Sequence, residues 1–201
     1  RVCAPTNNDL SKLVHAMGYV KRSRGRPRNL CIEGNVDGVD MTSGLTVFGY
    51  IDAAFGSHHD GKSHTGVVIR VGNCTVMSRS VKQKIVTRDS TESEIVACSD
   101  CVTSVMSLNE FVKELGFATS VPIVYQDNQS AILMMTKGNG KDRTRHLRVR
   151  KYWMKEKCDN KEIVVQYLPT NDMLGDLLSK AKVGKQFVNM RNKITNVMYD
   201  D

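Results

Sequence analysis

The sequence predicts an α/β fold: a five-stranded mixed sheet, made of a three-strand antiparallel meander plus two further strands, flanked by helices. Three observations predict it. Three β-branched runs follow one another with short connections, and Gly72-Asn73 between two of them is a hairpin signal. Strand-like and helix-like segments then alternate, giving the order βββ-α-β-α-α-β-α, which favours a mixed sheet with helices on its faces. The longest helical segment, residues 91–115, carries a sustained apolar stripe, so one of its faces must be buried.

Residues 6–21 read as a helix, with an N-cap among Thr6 to Asn8 and Leu10, Leu13, Val14 and Met17 at helical spacing. Residues 21–28 carry five positive charges among eight positions, with Gly25 and Pro27 set against regular structure. This reads as a solvated linker or a phosphate contact. Leu30–Ile32 is a short strand candidate. The first meander strand runs through Val47-Phe48-Gly49-Tyr50-Ile51 and ends near Asp52. Thr65–Val71 and Cys74–Ser80 are the next two.

In the long helix the stripe is Cys98, Cys101, Val105, Leu108, Val112 and Leu115, and Gly116 is a good residue to end it. Val121–Gln126 is the fourth strand, closed by Asp127, and residues 128–137 form a helix. Residues 145–157 form another, and Glu162–Leu168 alternates as the fifth strand. Pro169-Thr170-Asn171 opens a helix over residues 172–180, and a polar tail follows. The expected organisation is a connecting segment over 1–44, the main domain over 45–182 and a tail over 183–201.

The 201 residues include 29 Lys+Arg and 21 Asp+Glu, for a net charge of +8 and a pI of about 9.2. Such a balance favours a polyanionic partner, most often nucleic acid. The six cysteines are scattered, which points to free thiols in a reducing compartment. No secretory signal is evident and no apolar run reads as a membrane span, so neither secretion nor a membrane is expected. The chain opens on Arg1 as a piece of a longer polypeptide would.

Four acids mark the edges of different elements. Asp52 closes an apolar strand, where an unpartnered carboxylate would cost several kcal/mol, roughly. Extending the helix stripe back one turn from Cys98 lands on Glu94. Glu92 lies about 200° away and is expected to face solvent. Asp127 follows a strand and precedes a helix that Asn128 or Ser130 can cap, which leaves it free for other work. Asp176 stands beside Gly175, whose small size allows close approach to the sheet. Converging carboxylates repel one another unless cations sit among them. Hard oxygen ligands suit Mg²⁺ or Mn²⁺, and two such ions about 4 Å apart support phosphodiester hydrolysis.

Gly49-Tyr50-Ile51-Asp52-Ala53, Gly61-Lys62-Ser63-His64-Thr65-Gly66, Lys82-Gln83-Lys84 and Ser90-Thr91-Glu92-Ser93-Glu94 stand in order along the chain. Asp127-Asn128-Gln129-Ser130-Ala131, Arg143-Thr144-Arg145-His146 and Tyr167-Leu168-Pro169-Thr170-Asn171-Asp172 through Asp176 continue the series. In this order and spacing the chain resembles the RNase H domain of Ty1/copia-type retrotransposon polyproteins, from about residue 2 to 182. Its opening resembles the segment that joins reverse transcriptase to that domain.

The resemblance implies an RNase H-like fold and two-metal hydrolysis of the RNA strand of an RNA–DNA hybrid. Its metal-binding acids carry over to Asp52, Glu94, Asp127 and Asp176, holding two Mg²⁺ ions with Mn²⁺ as a substitute. Ser90, Thr91, Asn128 and Gln129 flank them as candidates for minor-groove contacts to 2′-hydroxyls. Lys82, Lys84, Arg143, Arg145, His146 and Arg148 are the further nucleic-acid-binding candidates. The implied partners are the hybrid and the reverse transcriptase part of the same polyprotein, with no membrane and no small-molecule cofactor. The implied setting is the cytoplasm, including retrotransposon particles, or the nucleus. Two departures stand out: the family usually has Asp-Ala-Asp-Trp where this chain has Asp52-Ala53-Ala54-Phe55, and Arg where Gly61 stands.

Cys98-x-x-Cys101 has the spacing of half a zinc site, but both thiols fall on the buried stripe and read as core. Residues 141–157 hold eight Lys/Arg against two acids, a pattern read as hybrid-backbone binding. Trp153 reads as packing against the sheet, and His58 and His59 as loop residues. Two competing readings are a non-catalytic nucleic-acid-binding remnant of the same fold and a transposase or integrase of the same superfold.

Overall fold

The computed structural model describes residues 6–22, 44–138 and 145–195. The strand candidate at Leu30–Ile32, the basic stretch beyond Arg22 and Arg143 lie outside the described residues. The strands are β1 (Val47–Ala54), β2 (His64–Val71), β3 (Cys74–Lys82), β4 (Ile123–Gln126) and β5 (Val164–Tyr167). They form one sheet in the order β3-β2-β1-β4-β5. The meander is antiparallel, with Asp52 opposite Gly66 and Val71 opposite Cys74 across the Gly72-Asn73 turn. β4 and β5 join in parallel, Gly49 beside Val124 and Tyr125 beside Gln166. The mixed five-stranded sheet read from the sequence is the observed one.

The helices are α1 (Asn7–Arg22), α2 (Ser90–Glu114), α3 (Gln129–Lys137), α4 (Arg145–Asp159), α5 (Asp176–Ser179) and α6 (Gly184–Thr195). Val47, Ile51 and Ala53 of β1 join Val67, Ile69 and Val124 in a core that Ile95, Cys98, Val102 and Val105 of α2 complete. Met135, Leu147 and Met154 extend this core into α3 and α4. Since side chains alternate along a strand, Asp52 points to the opposite face, where α5 lies against β1 and β2.

α2 ends as the sequence predicts: Gly116 takes φ +90°, its N–H reaches the Lys113 carbonyl, and the Phe117 N–H reaches Val112. α2 is long and apolar enough to cross a membrane by length and composition. Ser, Asp and Thr interrupt its apolar sequence, so it contains no long uninterrupted apolar run. Most of its apolar side chains pack in the core described above, while Phe111 is exposed. Cys98 and Cys101 lie in that core, as the stripe required.

Several expectations are corrected. Leu115 is exposed, because the helix has ended at Glu114 and the stripe ends with it. Glu92 is buried rather than solvent-facing. Asp89 is the N-cap, its Oδ1 accepting the Glu92 N–H at 2.8 Å, and the Glu92 carboxylate folds back to accept the Arg88 N–H at 3.0 Å. This reciprocal capping overrides helical periodicity in a first turn. The helix expected over 172–180 is a 3₁₀ turn at Thr170–Asp172 followed by α5, which is one turn long. The break follows from Gly175. A Cβ there would stand 2.9 Å from the carbonyl oxygens of both Gly66 and Tyr50, so the chain must press onto the strands at that point. α1 is capped by Thr6, whose hydroxyl accepts the Asp9 N–H at 3.3 Å, but Leu10, Leu13, Val14 and Met17 are all more than half exposed.

Candidate active site

Three elements deliver carboxylates to one point at the end of the sheet. Asp52 projects from β1 and is fully buried, Glu94 comes from the first turns of α2, and half-buried Asp127 follows β4. Each offers an oxygen within 4.8 Å of the others. Asn128 caps α3 by accepting the Ala131 N–H at 3.1 Å, which leaves the Asp127 carboxylate to accept from the Thr170 hydroxyl at 2.7 Å. Glu94 accepts the Ala53 N–H at 3.2 Å and the Gln126 amide at 3.0 Å.

Asp176, the fourth expected acid, is not in that trio. It is fully buried, with Lys180 Nζ at 2.7 Å from one carboxylate oxygen and Lys182 Nζ at 2.5 Å from the other. Lys180 also reaches Asp52 Oδ2 at 3.3 Å, so one ammonium bridges the two acids, and the Ser179 hydroxyl donates to Asp52. The sequence reading missed Lys180, Lys182, Ser179 and Gln126. The i,i+4 spacing of Asp176 and Lys180 was a usable signal for one of them. The others depend on tertiary contacts.

Burial pushes the Asp52 carboxyl above its ordinary range. Ser179 and Lys180 oppose the shift, while Asp176 and Asp127 add to it. Glu94 is raised further, by burial first and then by Asp52. Burial works against the Lys180 charge, but Asp176 and Asp52 more than offset it and hold the ammonium protonated. Three converging hard oxygen donors, two of them buried, repel one another unless a cation sits among them, so the residues present are compatible with a divalent metal ion.

The nucleic-acid candidates fare unevenly. Ser90, Gln129, Lys84, Arg145 and Arg148 are exposed, and Thr91 is half-buried at the start of α2. Asn128 is engaged as a cap. Lys82 is exposed but pairs with Asp60 at 2.7 Å. His146 lies within α4. The described part of the basic stretch, residues 145–157, is not one free face. Arg150 pairs with Asp100, Lys155 with Asp159 and Lys157 with Glu162, while Lys151 is fully buried. Trp153 packs partly against the core, as expected.

The sheet order, the parallel addition of β4 and β5 and the acids at the strand ends define an RNase H-like domain. LC11-RNase H1, isolated from compost by a metagenomic approach, superposes with a TM-score of 0.51 at 17% identity, over 66% of this chain and 91% of that one. No family model matches the chain. Among curated proteins, the retrovirus-related Pol polyprotein from transposon TNT 1-94 of Nicotiana tabacum is 31% identical over 140 residues, 69% of this chain. That from transposon RE1 of Arabidopsis thaliana is 26% identical over 194 residues, 94% of the chain. In sequence the chain is similar to Ty1/copia-type retrotransposon Pol polyproteins, and its fold is that of RNase H domains. It spans only about a tenth of the length of these relatives, 10% and 12% respectively.

Proposed function

We propose that the chain is a ribonuclease H that hydrolyses the RNA strand of an RNA–DNA hybrid during retrotransposon reverse transcription, cutting internally. The observation that carries this reading is the convergence of Asp52, Glu94 and Asp127, with oxygens within 4.8 Å of one another, on an RNase H-like sheet. These residues would hold Mg²⁺ or Mn²⁺. Bound there, such ions supply a water activated at neutral pH and a counter-charge for the leaving oxygen. Asp176 would join a second ion by giving up its lysine contacts. Ser90, Thr91 and Gln129 would read the 2′-hydroxyls of the RNA strand. Arg145 and Arg148 offer phosphate contacts on α4. The reverse transcriptase part of the parent polyprotein would deliver the hybrid, in the cytoplasm or in particles formed there, or in the nucleus.

The test is cleavage of a labelled RNA–DNA hybrid with and without Mg²⁺, beside RNA–RNA and DNA–DNA controls. Asp127→Asn should lose more than the about 10–100-fold that a change outside the ligand set costs. Equal cutting by parent and variant would overturn the assignment. Salt-sensitive hybrid binding with no cleavage in Mg²⁺ or Mn²⁺ would instead identify a binding remnant of the same fold.

A further inference from the structure

Gln126 is the last residue of β4 and is fully buried. Both ends of its amide are engaged. Its Oε1 accepts the backbone N–H of Asp127 at 2.8 Å and of Asn128 at 3.1 Å. An NH₂ group cannot accept those two hydrogens, so the amide orientation is fixed by its partners. The Nε2 then faces Glu94 Oε2 at 3.0 Å, and lies 3.5 Å from the Ile51 carbonyl and 3.4 Å from Cys98 Sγ. One side chain thus spans the Glu94 carboxylate on α2 and the turn that carries Asp127. Among the described hydrogen bonds no other side chain joins these two.

We infer that Gln126 is a positioning residue of the acid site, setting the Glu94 carboxylate against Asp127 in the arrangement that receives a divalent cation. The inference rests on the metal-dependent reading given above. Glu94 has a long side chain whose carboxylate would otherwise be free to rotate within the site. The Ala53 N–H fixes one oxygen, and Gln126 fixes the other. The same amide orders the Asp127 turn from its other end, so its loss disturbs two ligands together. Residues that orient metal ligands from behind typically carry about 10–100-fold in metal affinity or activity.

The experiment is a Mn²⁺ titration without nucleic acid, followed by the disappearance of the free-ion paramagnetic signal, on the parent, Gln126→Met and Asp127→Asn. Gln126→Met should bind Mn²⁺ about 10–100-fold more weakly than the parent. In hybrid cleavage its kcat should fall and be partly restored by raising Mg²⁺, while KM for the hybrid stays within twofold of the parent's. A purely structural role would lower thermal stability and leave the metal dependence unmoved. Gln126→Asn keeps the amide but is one methylene too short to span both partners. It must shift metal affinity in the same direction as Gln126→Met. Metal binding within twofold of the parent in both variants overturns the inference and leaves the nuclease reading standing. A parent that binds no Mn²⁺ at millimolar concentration overturns both.

Discussion

Lys180→Met removes the cation that, among the described residues, bridges Asp52 and Asp176. Its ammonium lies 2.7 Å from Asp176 and 3.3 Å from Asp52, and both carboxylates are fully buried. Breaking a buried pair by deleting one partner costs about 3–5 kcal/mol. Here the lysine side chain is 41% exposed, so water screens part of the interaction. Lys182 still holds Asp176, and Ser179 still donates to Asp52. A loss of about 1–2 kcal/mol is therefore expected, which for a chain of this length lowers Tm by roughly 2–8 °C. The loss should depend on pH. Without Lys180, the folded-state pKa of Asp52, already raised by burial, rises further. A raised acid pKa contributes stability below its unfolded value, and that contribution is lost as pH rises through the folded value. The gap between parent and variant should thus be wider at pH 8 than at pH 5, in EDTA. Mg²⁺ should then narrow it, since ligand binding stabilises by mass action and the variant presents no competing ammonium. Scanning calorimetry at both pH values, with EDTA and then with Mg²⁺, reads all three effects. Equal Tm values in EDTA at pH 8, or a gap that Mg²⁺ leaves unchanged, would refute the bridging role.

Gly175→Ala would place a Cβ 2.9 Å from two strand carbonyl oxygens and 3.0 Å from the Asp52 N–H nitrogen, so α5 must lift from the sheet. A loss of about 1–3 kcal/mol is expected from overpacking, read as a lower denaturation midpoint; an unchanged midpoint would refute the close approach. Glu94→Gln removes a carboxyl whose proton affinity is raised in the fold. Its stability relative to the parent in EDTA should therefore grow as pH rises from about 4.3, the ordinary glutamate value, and a flat difference would count against burial of that charge. Arg148→Ala, on the exposed side of α4, should weaken hybrid binding alike for all sequences and reduce the slope of log affinity against log salt by about 1, measured by fluorescence anisotropy.

Most of the sheet was legible because its signals are local. Gly72-Asn73 and the β-branched runs specify a hairpin, and Gly116 specifies a helix end. Glu94 was legible because a 3.6-residue period fixes which side of α2 is buried. Asp127 was legible because Asn128 could take the cap. The failures share a cause: a tertiary contact or a cap outweighed the local pattern. Met173, Leu174, Leu177 and Leu178 have helical spacing, yet the backbone at Gly175 is pressed against Gly66 and Tyr50, and only one helical turn survives. The basic stretch of α4 reads as a phosphate-binding face, but its partners Asp100 and Glu162 come from elsewhere in the chain. Gln126 caps the Asp127 turn through local bonds, but its contact with Glu94 carries no sequence signal, because it exists only once α2 is packed beside β4.

The departure at Ala54-Phe55 can now be weighed against the geometry. Asp52 and Ala54 lie two residues apart on one strand and so share a face. Ala54 is buried at the end of β1 opposite His64, and Phe55 is exposed in the turn beyond it. The carboxylate that the family usually carries at position 54 would add another negative charge beside Asp52. Among the described residues, this site already sets Asp52, Glu94, Asp127 and Asp176 against Lys180 and Lys182. Alanine there removes repulsion and takes away none of the three oxygens that converge. Loss of that acid is therefore a poor cause for inactivity. Should the chain bind Mn²⁺ through Asp127 and still fail to cut a hybrid, the fault lies in how the hybrid is held. The places to look are then the exposed turn at Phe55, where the family has tryptophan, and the α4 cations already committed to internal pairs.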